Sequence, residues 1–217
     1  MDFKSVKEFM CSELKPMGFM PISSKRILIK DGGFYLIVVE IQPVRKEAFL
    51  LNEGVKFLWT SDYGIVYDYA DGRGRIIAKG SPLGAVFYDD PSANMRIEQM
   101  IKELKEQIVK YQELKNLDTF HFKIENRDDF TKHANPNFEQ WDESLAIAKM
   151  FLGQVPQAKK ILHTASDRNL IARKLLEHCD NIESFHNELV GIINNCREQM
   201  SLKFKTTLDP ISAVWTF

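Results

Sequence analysis

Residues 34–59 read FYLIVVEIQPVRKEAFLLNEGVKFLW, and this stretch decides the fold. Its first six residues are apolar on both faces of an extended chain, which places residues 34–42 centrally in a sheet. Pro43 lacks a ladder donor and is expected to close that strand. In the following segment Phe49, Leu51, Glu53, Val55, Phe57 and Trp59 occupy alternate positions, the period of a second strand, with Gly54 as a candidate bulge. A connection of only a few residues between the two predicts antiparallel pairing.

Working outward, Asp31-Gly32-Gly33 is a tight hairpin signal that joins residues 26–30 to residues 34–42. Tyr63, Ile65, Tyr67 and Tyr69 continue the alternation toward the turn at residues 71–74. Residues 75–79 and 83–88 then complete about six strands. Before the sheet, Phe3, Val6, Met10 and Leu14 form one helical stripe, ended by Pro16 and capped by Gly18.

Glycine marks the change of architecture: only Gly153 and Gly191 follow residue 92. Beyond it the period becomes 3.6, with Ile97, Ile101, Leu104, Ile108 and Tyr111 on one stripe of a helix reaching about residue 115. Glu98–Lys102 and Glu106–Lys110 have the spacing of ion pairs on its outer side. Residues 119–124 alternate Phe120, Phe122 and Ile124 and read as a short strand. Trp141, Leu145, Ala148 and Leu152 make the face of the next helix, ended by Gly153, and Pro156 opens its partner. Asp167 is the expected cap of a short third helix, and Asp180 of a long fourth one. The tail, with Ile211, Val214, Trp215 and Phe217, is apolar enough to dock back. The expected architecture is α+β: a single antiparallel sheet of about six strands with helices on one face, followed by a helical C-terminal section. A sheet domain spans residues 1–125, and residues 126–217 pack on it as one unit.

The chain has 217 residues, 44% hydrophobic and 27% charged, with 29 Lys and Arg against 30 Asp and Glu. That balance, even in both halves, argues against nucleic-acid binding through a basic surface. Acidic residues in the first twenty positions break any signal-peptide core, and residues 34–39 are far too short to span a membrane. A cytoplasmic setting without membrane or nucleic-acid partners is the expectation. Cys11, Cys179 and Cys196 are too few for a disulfide framework, and the latter two lie on apolar helix sides as small buried hydrophobes.

The motifs of chemistry each fail a spacing test. Gly72-Arg73-Gly74 begins like a phosphate loop, but residue 77 is Ile and a strand follows. His121, His133, His163, His178 and His186 contain no pair at metal-binding spacing. Asp89-Asp90 and Asp128-Asp129 precede helices, where they serve as caps. No catalytic residue, metal ligand or cofactor is therefore assigned. The most distinctive surface candidates are Trp59, Asp62, Tyr63, Tyr67, Arg73 and Arg75, because aromatics and arginines are the residues interfaces favour. Packing of the same aromatics between sheet and helix is the competing reading.

The run Leu14-Lys15-Pro16-Met17-Gly18-Phe19, followed by a basic strand, the strand at residues 34–42 ending near Gln42, and Gly54-Val55-Lys56-Phe57, resembles the start of the bacterial domain-of-unknown-function 4304 family. The resemblance covers residues 1–125 and extends toward the helical part. It implies a helix preceding a sheet and carries over no activity. Two functional classes stand. One is a non-enzymatic protein-interaction module with a regulatory or toxin-neutralising role, meeting a protein partner through Trp59–Tyr69 or the helical hairpin. The alternative is an enzyme or small-ligand binder with a dispersed polar pocket drawn from Glu40, Asp62, Arg73 and Arg75. The absence of a catalytic motif favours the first.

Overall fold

Among the described residues six strands build one antiparallel sheet: β1 (Met20–Ile22), β2 (Ile27–Asp31), β3 (Tyr35–Val44), β4 (Ala48–Phe57), β5 (Arg75–Ile76) and β6 (Val86–Phe87). β1 to β5 lie side by side in chain order, and β6 pairs with β4 beside β5. This computed structural model describes residues 2–22, 26–60, 63–65, 67–70, 74–81, 84–126 and 140–215. Asp128-Asp129, Asp62 and Arg73 lie outside the described residues.

β3 and β4 form the long central hairpin, with Tyr35 opposite Phe57 and Val44 opposite Ala48. Pairing runs through Pro43, opposite Phe49, rather than stopping there. A proline forfeits one donor and ends a ladder only where that donor is needed. The register is unbroken at Gly54, so no bulge exists. The glycine serves a close approach instead: a Cβ there would lie 2.8 Å from Cδ1 of Tyr67 and 2.9 Å from the Tyr69 carbonyl oxygen. Tyr69 meets Val55 in a single bridge, so the chain at residues 67–69 lies against β4 without becoming the expected strand. In the β2–β3 turn, Gly33 takes a φ of 92° and its N–H donates to the Asp31 carboxylate at 2.8 Å, as the Asp-Gly-Gly signal requires.

The described residues also form seven α-helices: α1 (Phe3–Leu14), α2 (Ala93–Gln112), α3 (Leu117–Glu125), α4 (Gln140–Phe151), α5 (Val155–Ser166), α6 (Leu170–Glu177) and α7 (Ile182–Phe204). α1 ends in a 3-10 turn through Pro16, and Gly18 follows with φ 86°. Asp90 accepts from Ser92 N–H at 2.7 Å and from Arg96 at 2.9 Å ahead of α2.

Three further expectations are corrected. Residues 119–124 belong to α3, not a strand: Asn116 caps Thr119 N–H at 2.9 Å, Phe120 and Ile124 face inward four residues apart, and Phe122 is 65% exposed. α6 is capped by Asn169, which accepts from the N–H groups of Ile171 and Ala172, not by Asp167. α7 is capped by Asn181 accepting from Ser184 N–H at 3.0 Å, not by Asp180.

One continuous apolar core joins sheet and helices. Phe34 meets Trp215 of the tail at 4.7 Å between ring centroids, and Trp215 also packs on Phe120 and Phe151. The tail thus docks by its tryptophan. Cys179 and Cys196 are buried, and none of the three cysteines forms a disulfide.

Candidate functional site

Side chains alternate across a strand, so Glu40 and Gln42 share one face of β3. The register puts Glu40 opposite Asn52 on β4 and Asn52 opposite Arg75 on β5. Three polar residues distant in sequence therefore meet in a row across three strands.

Asn52, 7% exposed, sits at the centre. Its Nδ2 donates to Glu40 Oε2 at 3.1 Å and to Gln42 Oε1 at 2.9 Å, while its Oδ1 accepts from Arg75 Nε at 3.0 Å. One amide thus spends both donors on two acceptors and its oxygen on a cation, which leaves none of its polar atoms idle. Tyr67, whose ring lies over Gly54, donates its hydroxyl to Glu40 Oε2 at 3.5 Å. Burial, reinforced by the negative charges of Glu40 and Glu53, holds the Tyr67 hydroxyl protonated far above the ordinary tyrosine range. Tyr67 is thus a fixed neutral donor.

Among the described residues nothing bonds Oε1 of Glu40, Nε2 of Gln42 or either Nη of Arg75. Glu40 and Gln42 are half-buried and Arg75 is exposed, so these groups reach solvent. A carboxylate and a guanidinium are held at most about 8 Å apart, the span of one amide and two hydrogen bonds.

On the opposite face, Glu53 is 2% exposed and accepts the Tyr111 hydroxyl, while Tyr35 donates to the Tyr111 carbonyl at 3.0 Å. That chain of bonds fastens α2 to the sheet. Lys56 is fully buried, its ammonium donating to Thr60 Oγ1 at 3.2 Å.

The six surface candidates separate. Trp59 is 1% exposed, stacked on Phe57 at 4.9 Å and Phe34 at 5.5 Å, with Nε1 donating to Ser144 of α4 at 3.1 Å. It belongs to the core and presents no face to a partner, because an indole with its N–H satisfied gains most by full burial. Tyr63 is half-buried, its hydroxyl accepting from Asn195 of α7 at 3.2 Å. Tyr67 and Arg75 are brought together through Asn52 and Glu40. Asn52 and Gln42 were missed in the sequence. Their signal is a polar interruption of an apolar strand that the register aligns across the hairpin.

No three His, Cys, Asp or Glu side chains gather as a metal site among the described residues. No described helix is long and apolar enough to cross a membrane. No protein-family model, curated protein or solved structure matches the chain.

Proposed function

We propose that this protein is a binding module for a small zwitterionic molecule of the amino-acid type, held at the Glu40–Asn52–Arg75 row. The carrying observation is that Asn52 is bonded to both charged groups while their outward atoms bond no other described residue. A ligand ammonium matches Glu40 Oε1, and a ligand carboxylate matches the paired Nη groups of Arg75, which suit planar bidentate recognition. The amide of Gln42 offers a further donor beside them. Asn52 fixes both partners before the ligand arrives, so little ordering is needed on binding. The reading asks only recognition of the site. Three cysteines without a disulfide, two of them buried, fit a reducing bacterial cytoplasm.

Isothermal titration calorimetry with the twenty amino acids and a set of dipeptides tests this. At least one binds, and Glu40→Gln and Arg75→Gln each weaken it by about ten- to a hundredfold, the worth of one charge-assisted bond. Heat with none of them, or unchanged affinity in both variants, overturns the reading.

A protein-interaction role remains a second reading, favoured by a separate observation: an apolar groove between α1 and α2, exposing Phe9 and Val109. Its surface is then not the one around Trp59.

A further inference from the structure

α2 turns one stripe of its length fully outward. Glu98, Lys102, Glu106 and Lys110 stand there, all exposed. Their four-residue spacing predicts ion pairs within the helix, yet none of the four is paired with any described residue. Beside the stripe lies an open groove of about 720 Å³ between α1 and α2, with Phe9 38% and Val109 55% exposed along it. A bond of 2.8 Å from Lys105 to Glu13 ties the two helices and fixes the groove's width.

The order of the charges is the informative feature. Counted from Leu104 in either direction, every acidic position on the stripe faces a basic one at equal distance: Lys102 against Glu106, and Glu98 against Lys110. A second helix of the same sequence, laid antiparallel across a two-fold axis at Leu104, therefore meets opposite charge at all four positions. Sliding it by one helical turn sets like charges together, and a slide of two turns keeps only two of the four contacts, so the central register alone opposes all four. An isologous contact of this kind is the commonest way in which protein copies associate.

We infer that the outer face of α2 is a docking surface for a second copy of this chain. Lys102 of each copy pairs with Glu106 of the other, Glu98 pairs with Lys110, and Phe9 and Val109 supply the apolar contact along the groove. The charges set register and partner choice, and the apolar side chains supply area.

Sedimentation equilibrium at low salt on four proteins decides it: the natural chain, Lys102→Glu, Glu106→Lys, and the double exchange. The natural chain is dimeric and loosens as salt is added. Each single exchange sets like charges face to face twice and raises the dissociation constant at least about tenfold. The double exchange restores opposite charges and restores the dimer. Circular dichroism of the four proteins is the same, since all the substituted side chains are exposed. A natural chain that is monomeric at every concentration overturns the inference, and so does one that binds only another polypeptide. A dimer indifferent to the single exchanges overturns it too, as does a double exchange no tighter than the singles.

Discussion

Arg197 of α7 reaches across 166 residues of sequence to grip Asp31 at the end of β2, Nη1 lying 2.9 Å from Oδ1 and Nη2 bonding the other oxygen. The same Nη1 donates to the Gly33 carbonyl at 2.6 Å, and Nε donates to the Asp209 carbonyl at 2.5 Å. One guanidinium thus ties the β2–β3 turn, the last helix and the tail. Arg197 is 2% exposed and Asp31 about one third exposed.

The asymmetry of that burial sets the size of each loss. Asp31→Asn leaves a buried cation without its counter-charge and costs about 3–5 kcal/mol, whereas Arg197→Met leaves a half-solvated carboxylate and costs about 2–3 kcal/mol. Urea unfolding of the two variants checks the order. Equal, sub-kcal losses would mean that the grip contributes nothing net.

Trp59 supplies a second prediction. Removing an indole packed between Phe34, Phe57 and Phe120 leaves a large cavity, so Trp59→Ala costs about 3–5 kcal/mol. Ser144→Ala removes only its hydrogen-bond partner and costs about 1–2 kcal/mol. Thermal melts read both. A Trp59→Ala protein as stable as the natural chain would place that indole on a surface after all.

Alkaline pH probes the buried tyrosines. Burial, with Asp31 adding to it, holds Tyr35 protonated well above 10, and burial with Glu40 does the same for Tyr67. The unfolded chain ionises both near 10, so above that pH it binds fewer protons than the folded one. Stability is therefore full below about pH 10 and falls as pH rises, by up to about 1.4 kcal/mol per unit for each tyrosine. Urea midpoints from pH 9 to 11 show the fall, and Tyr67→Phe makes it shallower. An identical slope in Tyr67→Phe would contradict the buried, Glu40-facing placement of that hydroxyl.

Much of the architecture follows from local chemistry. Pro16 and Gly18 end α1 because one removes a donor and the other accepts a left-handed φ. Asp31-Gly32-Gly33 turns the chain because only such residues fit there. α2 is legible from Ile97 to Tyr111 through its long apolar period. The segment at residues 119–124 was not legible, because Phe120 and Ile124 satisfy both a two-residue and a four-residue spacing. Only the Asn116 cap and the exposure of Phe122 decide between them. The caps of α6 and α7 were displaced because Asp167 and Asp180 lie close to the asparagines that perform the task.

The site was half legible. Glu40 and Arg75 are legible as members of a polar pocket together with Asp62 and Arg73, while Tyr67 reads only as an interface aromatic. What joins them is Asn52, an unremarkable residue until the register sets it opposite both Glu40 and Arg75. Pairing between strands is a long-range property, and no local window around residue 52 contains it.

The most direct test of the site is the side-chain amide of Asn52 itself, followed by nitrogen-15 NMR while an amino acid bound in calorimetry is titrated in. Its two N–H signals and the Nε–H of Arg75 move together and saturate at the same concentration as the heat, since a ligand between Glu40 and Arg75 polarises both of their bonds to Asn52. Saturating binding that leaves these three signals still, with shifts clustered elsewhere, would contradict the account.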